Sequence, residues 1–402
     1  VNLLKNQRQT VKNTKDFDYL SGQELYFDSA CQTLRPQPVI DAVNEYYLEY
    51  NACGERVKYD WGIKVDEKIE ATRQKLLKLA GKSERDYVCA FTLNTTYGIN
   101  LILSQLPTKT YRRIVTSEVE HNSVFLPSIT WAKHFGMDRV VLGREPDGSL
   151  PYGIKDLDKA VVVVNTTSNV NGVNLVNAKQ LADDTHQAGG IIILDGAQTM
   201  GHNPESIKDV DYDALCFSGH KMYGPSIGVI IIKKQLLEKL DLSFIGGGTV
   251  EDVQLDSYTL LRDDLASHLE AGLQNFSGII GLGAAVDWQK AYRPEGKSPL
   301  EHQAFLAEKL FAGLSEIPSV QLINQTPGSI TSFYTDKIDA HKLAIYISAR
   351  GVMARSGYFC CHYWLDAKQH LPPLLRLSIG LNNTEAQVDE TLATLTKIIG
   401  GR

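Results

Sequence analysis

The run Ser218-Gly219-His220-Lys221-Met222-Tyr223-Gly224-Pro225 places one lysine between a histidine and a loop broken by glycine and proline. Upstream, Asp195 closes the aliphatic run Ile191-Ile192-Ile193-Leu194. A lysine can hold an aldehyde as a Schiff base, and a carboxylate can keep a pyridine nitrogen protonated. Pyridoxal phosphate (PLP) needs both groups. Ser218 and His220 can donate hydrogen bonds to a phosphate, and Gly219 and Gly224 let the backbone bend closely around a ligand. Taken singly, Asp195 also reads as a strand-end aspartate capping a turn, and Lys221 as a solvent lysine. Taken together they point to the cofactor.

Further residues could serve such a centre. Thr95 and Thr96 open a helical stretch after the strand-like run Tyr87 to Phe91. Hydroxyls and free N–H groups at a helix N-terminus form a phosphate seat, or a plain cap. His121 starts the next helical stretch, where an imidazole can stack on an aromatic ring and move protons, or simply cap. Arg376 is a charge inside the apolar run Leu374-Leu375-Arg376-Leu377. Its fork-shaped donor needs a carboxylate, from a structural ion pair or from the α-carboxylate of an amino acid. Arg355 is a weaker second candidate. Cys360 and Cys361 lie between Gly357 and the aromatic pair Tyr363-Trp364. They read as a thiolate nucleophile on a loop, as inert thiols, or with His362 as metal ligands. No complementary cluster supports the metal reading, so none is expected.

These residues must be positioned by a framework. Apolar runs at Tyr87 to Phe91, Arg113 to Thr116, Arg139 to Leu142, Ala160 to Asn165, Ile191 to Asp195, Ala214 to Ser218 and Gly228 to Ile232 read as strands. Continuous apolar character indicates burial on both faces, as in a mainly parallel sheet. Helical patterns lie between them, near 95–106, 122–135 and 177–188. The alternation predicts an α/β fold with right-handed crossovers. After the breaker cluster Pro294, Gly296, Ser298 and Pro299 the pattern changes to helix (301–315), short strands (319–323, 329–334) and helices (338–350, 385–399). This predicts a large domain over 26–295 and a smaller α+β domain over 296–402, joined by an N-terminal segment, 1–25.

The 402 residues are 43% hydrophobic and 22% charged, as in an ordinary globular protein. A net charge of -6 argues against a nucleic-acid surface. The longest apolar runs, Ala160 to Val164 and Val229 to Ile232, are too short to span a bilayer. The first twenty residues are polar, without an apolar signal segment, so the cytoplasm is the expected location. None of the six cysteines has CxxC spacing, and most are expected to be buried.

The constellation resembles cysteine desulfurases of the sulfur-mobilisation (Suf) type, within the class V aminotransferase group of fold-type I PLP enzymes. The resemblance runs from Tyr26-Phe27-Asp28-Ser29-Ala30 nearly to the end of the chain. It takes in Thr95-Thr96, Glu120-His121, Ser168-Asn169-Val170, Asp195-Gly196-Ala197-Gln198, Ser218-Gly219-His220-Lys221, Glu270-Ala271-Gly272, Gly281-Leu282-Gly283, Arg355-Ser356-Gly357-Tyr358-Phe359-Cys360, Arg376 and Asn383-Thr384. It implies a seven-stranded, mainly parallel sheet and a homodimer. It also implies that Lys221 carries PLP, Asp195 pairs with the pyridine nitrogen, Gln198 bonds the ring oxygen and His121 stacks on the ring. Thr95, Thr96, Ser218 and His220 would hold the phosphate, with Asn169 near the cofactor and substrate. Arg376, with Arg355 and Arg56, would bind the carboxylate of L-cysteine. Cys360 would take the sulfur as a persulfide for an acceptor protein, with alanine released, in support of iron–sulfur or related biosynthesis.

The sequence departs from that pattern at several points. Leu273 replaces the usual threonine after Glu-Ala-Gly, Glu55 and Val57 flank Arg56 in place of the family's residues, Asn94 replaces a glycine, and Cys361 is an added thiol. Selenocysteine lyase, a cysteine C–S lyase or another class V enzyme are the neighbouring activities.

Overall fold

The computed structural model describes residues 16–54, 57–107 and 109–400. Two compact units emerge. The larger takes Pro38–Ser168 and Val173–Lys290; the smaller takes the described residues up to Gln37, Asn169–Gly172, and those from Ala291 on.

The first strand, β1 (Leu25–Tyr26), belongs to the smaller unit. The larger unit is built on β2 (Tyr87–Thr92), β3 (Arg113–Ser117), β4 (Asp138–Leu142), β5 (Ala160–Asn165), β6 (Ile191–Asp195), β7 (Ala214–Ser218) and β8 (Gly228–Lys233). They form one seven-stranded sheet in the order β2-β8-β7-β6-β5-β3-β4. All neighbours pair parallel except where β8 is involved; it runs antiparallel to both β2 and β7. The mainly parallel sheet expected from the apolar runs is therefore present.

Side chains alternate between the two faces, as a strand period of two requires. Val162, Val164, Ile192, Leu194, Leu215 and Phe217 enter one apolar layer; Val161, Val163, Ile191, Ile193, Ala214 and Cys216 enter the other. Each fully buried aliphatic side chain contributes about 1.5–3 kcal/mol. Helices cover both faces. The first layer takes Val65, Ile69 and Leu76 from α2 (Asp60–Leu79), which follows α1 (Gln37–Glu49), together with Phe276, Ile279 and Leu282 from the helix Phe276–Ala291. The second takes Ile99 and Ile102 from α3 (Thr95–Ser104) and Val124 from α4 (Asn122–Phe135). A hairpin of β9 (Val250–Val253) and β10 (Tyr258–Leu260) completes this unit.

In the smaller unit, β11 (Val320–Leu322), β12 (Ile330–Thr335), β14 (Arg355–Gly357) and β15 (Leu374–Ser378) form an antiparallel sheet in the order β11-β12-β15-β14. β1 pairs parallel with β13 (Val352–Met353). The helices Pro299–Ser315 and Glu385–Ile399 start in capping boxes, Ser298 with Glu301 and Thr384 with Gln387. Asn169–Gly172 is stitched into this unit: Asn324 Nδ2 donates to the Asn171 carbonyl at 2.8 Å, and Ser332 Oγ donates to that of Val170. Among the described residues no helix is long and apolar enough to cross a membrane.

Candidate functional site

Because only β8 is reversed, β2, β6 and β7 deliver their C-terminal ends to one edge of the sheet, where open α/β sheets bind ligands. Asp195 ends β6 and Ser218 ends β7; Lys221 follows in a short 3₁₀ turn, Gly219–Lys221. The turn is fixed by its backbone. Gly219 N–H donates to Ile227 O at 2.8 Å, and Met222 and Gly224 N–H both donate to Gly219 O at 2.9 Å. A Cβ on Gly201 would lie 2.1 Å from the Lys221 carbonyl, so a bare backbone is needed there for the two segments to meet.

Asp195 is buried, and its carboxylate accepts from Ala197 N–H at 2.9 Å. Burial pushes its pKa up, while the Ala197 hydrogen bond and the nearby Lys221 charge pull it down. A buried carboxylate held in that way suits a cationic ring nitrogen. Alongside, Ser218 Oγ accepts from Thr95 N–H at 2.9 Å and lies 2.6 Å from Thr95 Oγ1. That links the end of β7 to the first turn of α3, which Asn94 caps by accepting from Tyr97 N–H. A Cβ on Gly228 would fall within 2.7 Å of the Asn94 backbone, so this close approach depends on glycine. Clustered hydroxyls at a helix N-terminus suit a phosphate. The donor set therefore fits PLP at both its ring nitrogen and its phosphate. Gln198 is buried at the start of the next helical turn, and His220 is half-buried beside Lys221.

His121 caps α4, and its Nδ1 accepts from Ser123 N–H at 3.0 Å. With Nδ1 accepting, a neutral ring carries its proton on Nε2. Ser123 Oγ continues the chain, 2.8 Å from Nδ1 and 2.6 Å from Thr96 Oγ1. His121 and Thr96 thus belong to one network.

Glu120, whose titration the sequence did not flag, is buried next to His121. It accepts from Ser117 Oγ, from Asn165 N–H at 2.7 Å and from Asn165 Nδ2 at 2.8 Å. Asn165 Oδ1 in turn accepts from Arg144 Nη1 at 2.6 Å. Burial drives the Glu120 pKa up to about 7, against the pull of Ser117 and Arg144. The native state therefore holds a proton that the unfolded chain releases above the ordinary carboxylate pKa. Its contribution is full at low pH and is lost as pH rises through about 7. Glu120→Gln preserves the pattern, with its oxygen accepting from Asn165 and its nitrogen donating to Ser117. Thermal unfolding of the two proteins should thus diverge from pH 5 to pH 8, the variant gaining on the order of 3 kcal/mol relative to the parent. Parallel pH profiles would remove Glu120 as the titrating group.

The smaller unit carries the second group of candidates. Arg376, on β15, is buried; its Nη2 donates to Asp28 Oδ1 at 3.1 Å and its Nη1 to the Asn169 carbonyl at 2.9 Å. Among the described residues its buried Nε has no hydrogen-bond partner. Arg355, paired across the sheet with Arg376, donates to Asp28 through Nε and Nη2 at 3.1 and 3.0 Å. Two guanidiniums thus face one carboxylate, which leaves a positive charge for an anion.

The cysteine loop follows β14. Phe359 and Cys360 adopt φ of 49° and 59°, a left-handed conformation that costs a non-glycine residue about 1–2 kcal/mol. The result separates two adjacent thiols: Cys360 is exposed and Cys361 is buried, its Sγ donating to Asn169 Oδ1 at 3.1 Å. Asn169 Nδ2 donates to the Phe359 carbonyl at 2.8 Å, so the Asn169 amide is engaged at both ends with this loop. Of the other cysteines, Cys89 and Cys216 are buried as expected of inert thiols, but Cys53 is exposed and Cys31 half-exposed. Cys53 lies in an irregular stretch outside any helix or strand, which corrects the expectation that most are buried. Glu55 and Arg56 lie outside the described residues. Among those described, no cluster of three or more His, Cys, Asp or Glu is arranged to hold a metal.

Two supporting residues escaped the sequence. Asp28 was read only as part of an N-terminal signature. Arg73, on α2, forms a two-pronged ion pair with Glu270 at 2.7 and 2.6 Å, and Glu270 also accepts from Phe91 N–H at 2.5 Å. That pair ties β2, and hence the turn into α3, to Glu270-Ala271-Gly272. Leu273, just beyond, is 78% exposed, where burial is not what holds a leucine in place.

Comparison with known proteins agrees with this arrangement. The aminotransferase class-V family profile matches residues 25–391. A probable cysteine desulfurase from Methanothermobacter thermautotrophicus is 31% identical over 94% of this chain and 95% of its own length. The apo structure of a cysteine desulfurase from Thermococcus onnurineus NA1 superposes with a TM-score of 0.85 at 28% identity, covering 96% of each chain. The cysteine desulfurase CsdA from Escherichia coli gives 0.84 at 26% identity, covering 96% of this chain and 97% of its own. With the family match running past Asp195, Lys221 and Arg376 alike, this chain belongs to the class-V aminotransferases.

Proposed function

We propose that the protein is a PLP-dependent cysteine desulfurase of the Suf type, converting L-cysteine to L-alanine and retaining the sulfur on Cys360. The relatives' activity supports the reaction class. The observation that carries it to this chain is the Arg376 site: a buried guanidinium with an unmatched Nε and a net positive charge, in the same unit as an exposed thiol. An α-carboxylate suits the first and a sulfur donor the second.

Bound PLP supplies an electron sink for the bonds at Cα of an amino acid. Asp195 would hold the ring nitrogen's proton, Gln198 would donate to the ring oxygen and His121 would pack against the ring. Thr95, Thr96, Ser218 and His220 would hold the phosphate. Arg376, with Arg355 and Arg56, orients the substrate carboxylate. Lys221 Nζ, as the free neutral amine, takes the Cα proton. Cys360 Sγ then attacks the substrate sulfur. An S–S bond forms as the Cβ–S bond breaks, the bonding pair stays on carbon, and protonation of that carbon gives alanine. The balance is L-cysteine plus a thiol to L-alanine plus a persulfide, which passes to an acceptor protein for iron–sulfur or related assembly.

A homodimer and a cytoplasmic location complete this reading. L-Selenocysteine is the nearest competing substrate, because a pocket separates close isosteres poorly. The test is a product count. Incubation with L-cysteine should yield alanine matched by protein persulfide, and sulfide once a reductant is added. Pyruvate and ammonia in place of alanine would mark a C–S lyase and overturn the assignment.

A further inference from the structure

We propose that Asn169 and Cys361 form a latch that holds Cys360 outward and ties the cysteine loop to Arg376. The inference deepens the desulfurase reading, resting on it for the roles of Cys360 and Arg376. Cys361 is the thiol for which that reaction has no use.

One side-chain amide grips the residues on either side of Cys360. Asn169 Nδ2 takes the Phe359 carbonyl at 2.8 Å, and Asn169 Oδ1 takes the Cys361 thiol at 3.1 Å. Phe359 and Cys361 also point the same way, into a small apolar cluster with Val170, Leu365 and Leu374. The Cys361 N–H closes a turn onto the Tyr358 carbonyl at 2.8 Å. With both neighbours anchored inward, Cys360 between them is turned out, and two successive left-handed residues are the backbone's response. The thiol hydrogen has a defined acceptor, so Cys361 acts here as a donor and not as a second nucleophile.

The same asparagine meets the arginine. The Asn169 carbonyl accepts from Arg376 Nη1 at 2.9 Å, and the Arg376 guanidinium lies 4.7 Å from the centre of the Phe359 ring. A carboxylate drawing on Arg376 therefore acts on both ends of the latch through direct contacts. Cys361 and Asn169 are positioning residues, working through Cys360.

The test uses the full-length, PLP-loaded protein and two readouts. Cys361→Ala should slow persulfide formation on Cys360 roughly tenfold in kcat, with KM for L-cysteine changed less than about twofold. Amide hydrogen exchange over 358–362 should accelerate about tenfold. Cys361→Ser, whose hydroxyl can donate to Asn169, should recover most of both effects; a residue serving only as apolar filling would not be rescued by a hydroxyl. Asn169→Ala should accelerate the same amides, and adding Cys361→Ala to it should accelerate them little further, since the two share one interaction. Unchanged exchange and kcat in Cys361→Ala, or equal losses in the serine and alanine variants, would overturn the latch. Exchange is read without turnover. Loop loosening in a protein that makes no alanine leaves the latch standing and sinks the desulfurase reading instead.

Discussion

Lys221→Ala is expected to lower L-cysteine turnover at least about 1,000-fold and to abolish the visible absorbance of covalently held cofactor, while the protein stays folded. The turn that carries it is held by backbone hydrogen bonds. Gly219 N–H is bonded to Ile227, Met222 and Gly224 are bonded to Gly219, and the Lys221 carbonyl packs against Gly201. Removing three methylenes and an amine leaves all of these intact. What disappears is a nucleophilic amine and the positive charge that lowers the Asp195 pKa against its burial. Lys221→Arg separates the two. It keeps the cation, which supports Asp195, but a guanidinium cannot take over the covalent or proton-transfer role, so turnover should be as low as in the alanine variant. Absorbance spectra, calorimetric melting and alanine production on the three proteins make the comparison. If Lys221→Ala turns over cysteine within tenfold of the parent, PLP chemistry at this lysine is wrong.

The sequence made the sheet legible because strands buried on both faces have no polar face to interrupt them. Val161 to Val164 and Ile191 to Leu194 read as strands for that reason, and the same runs fill both apolar layers. The strand ends then located Asp195 and Ser218 without further help. The helix Phe276–Ala291 was not legible as one, since it is apolar around most of its circumference and carries three glycines that weaken the pattern. Those glycines answer to packing. A Cβ at Gly281 would sit 2.7 Å from Pro225 and Val43, and one at Gly283 would sit 2.3 Å from Thr72.

Long-range charge pairing was equally hidden. Asp28 and Arg376 meet across 348 residues, and periodicity carries no information about such a meeting. Arg376 was expected to need a carboxylate. Asp28 supplies one, and sharing it with Arg355 leaves the charge imbalance on which substrate binding is argued. Two neighbouring thiols could be ranked only by a resemblance in sequence, because adjacency says nothing about direction. A left-handed Phe359-Cys360 backbone decides which thiol reaches solvent.

That direction sets the largest difference expected between two single-atom changes. Cys360→Ala should retain the cofactor absorbance, since Lys221 and Asp195 belong to the larger unit and Cys360 to the smaller. It should lose protein persulfide altogether and lower alanine formation by about 100-fold or more, because no thiol remains to accept the sulfur as the Cβ–S bond breaks. Cys361→Ala should leave the persulfide on Cys360 and only slow its appearance. The asymmetry follows from burial: Cys361 is 1% exposed, and its Sγ is engaged as a donor to Asn169, so it is not presented for attack. Peptide mass spectrometry after a brief incubation with L-cysteine assigns the extra sulfur to one residue or the other. Persulfide on Cys361 in the Cys360→Ala protein, formed at the parent rate, would mean that the outward thiol is not the nucleophile. It would also mean that the latch opens on every turnover, since the buried thiol cannot otherwise meet a substrate.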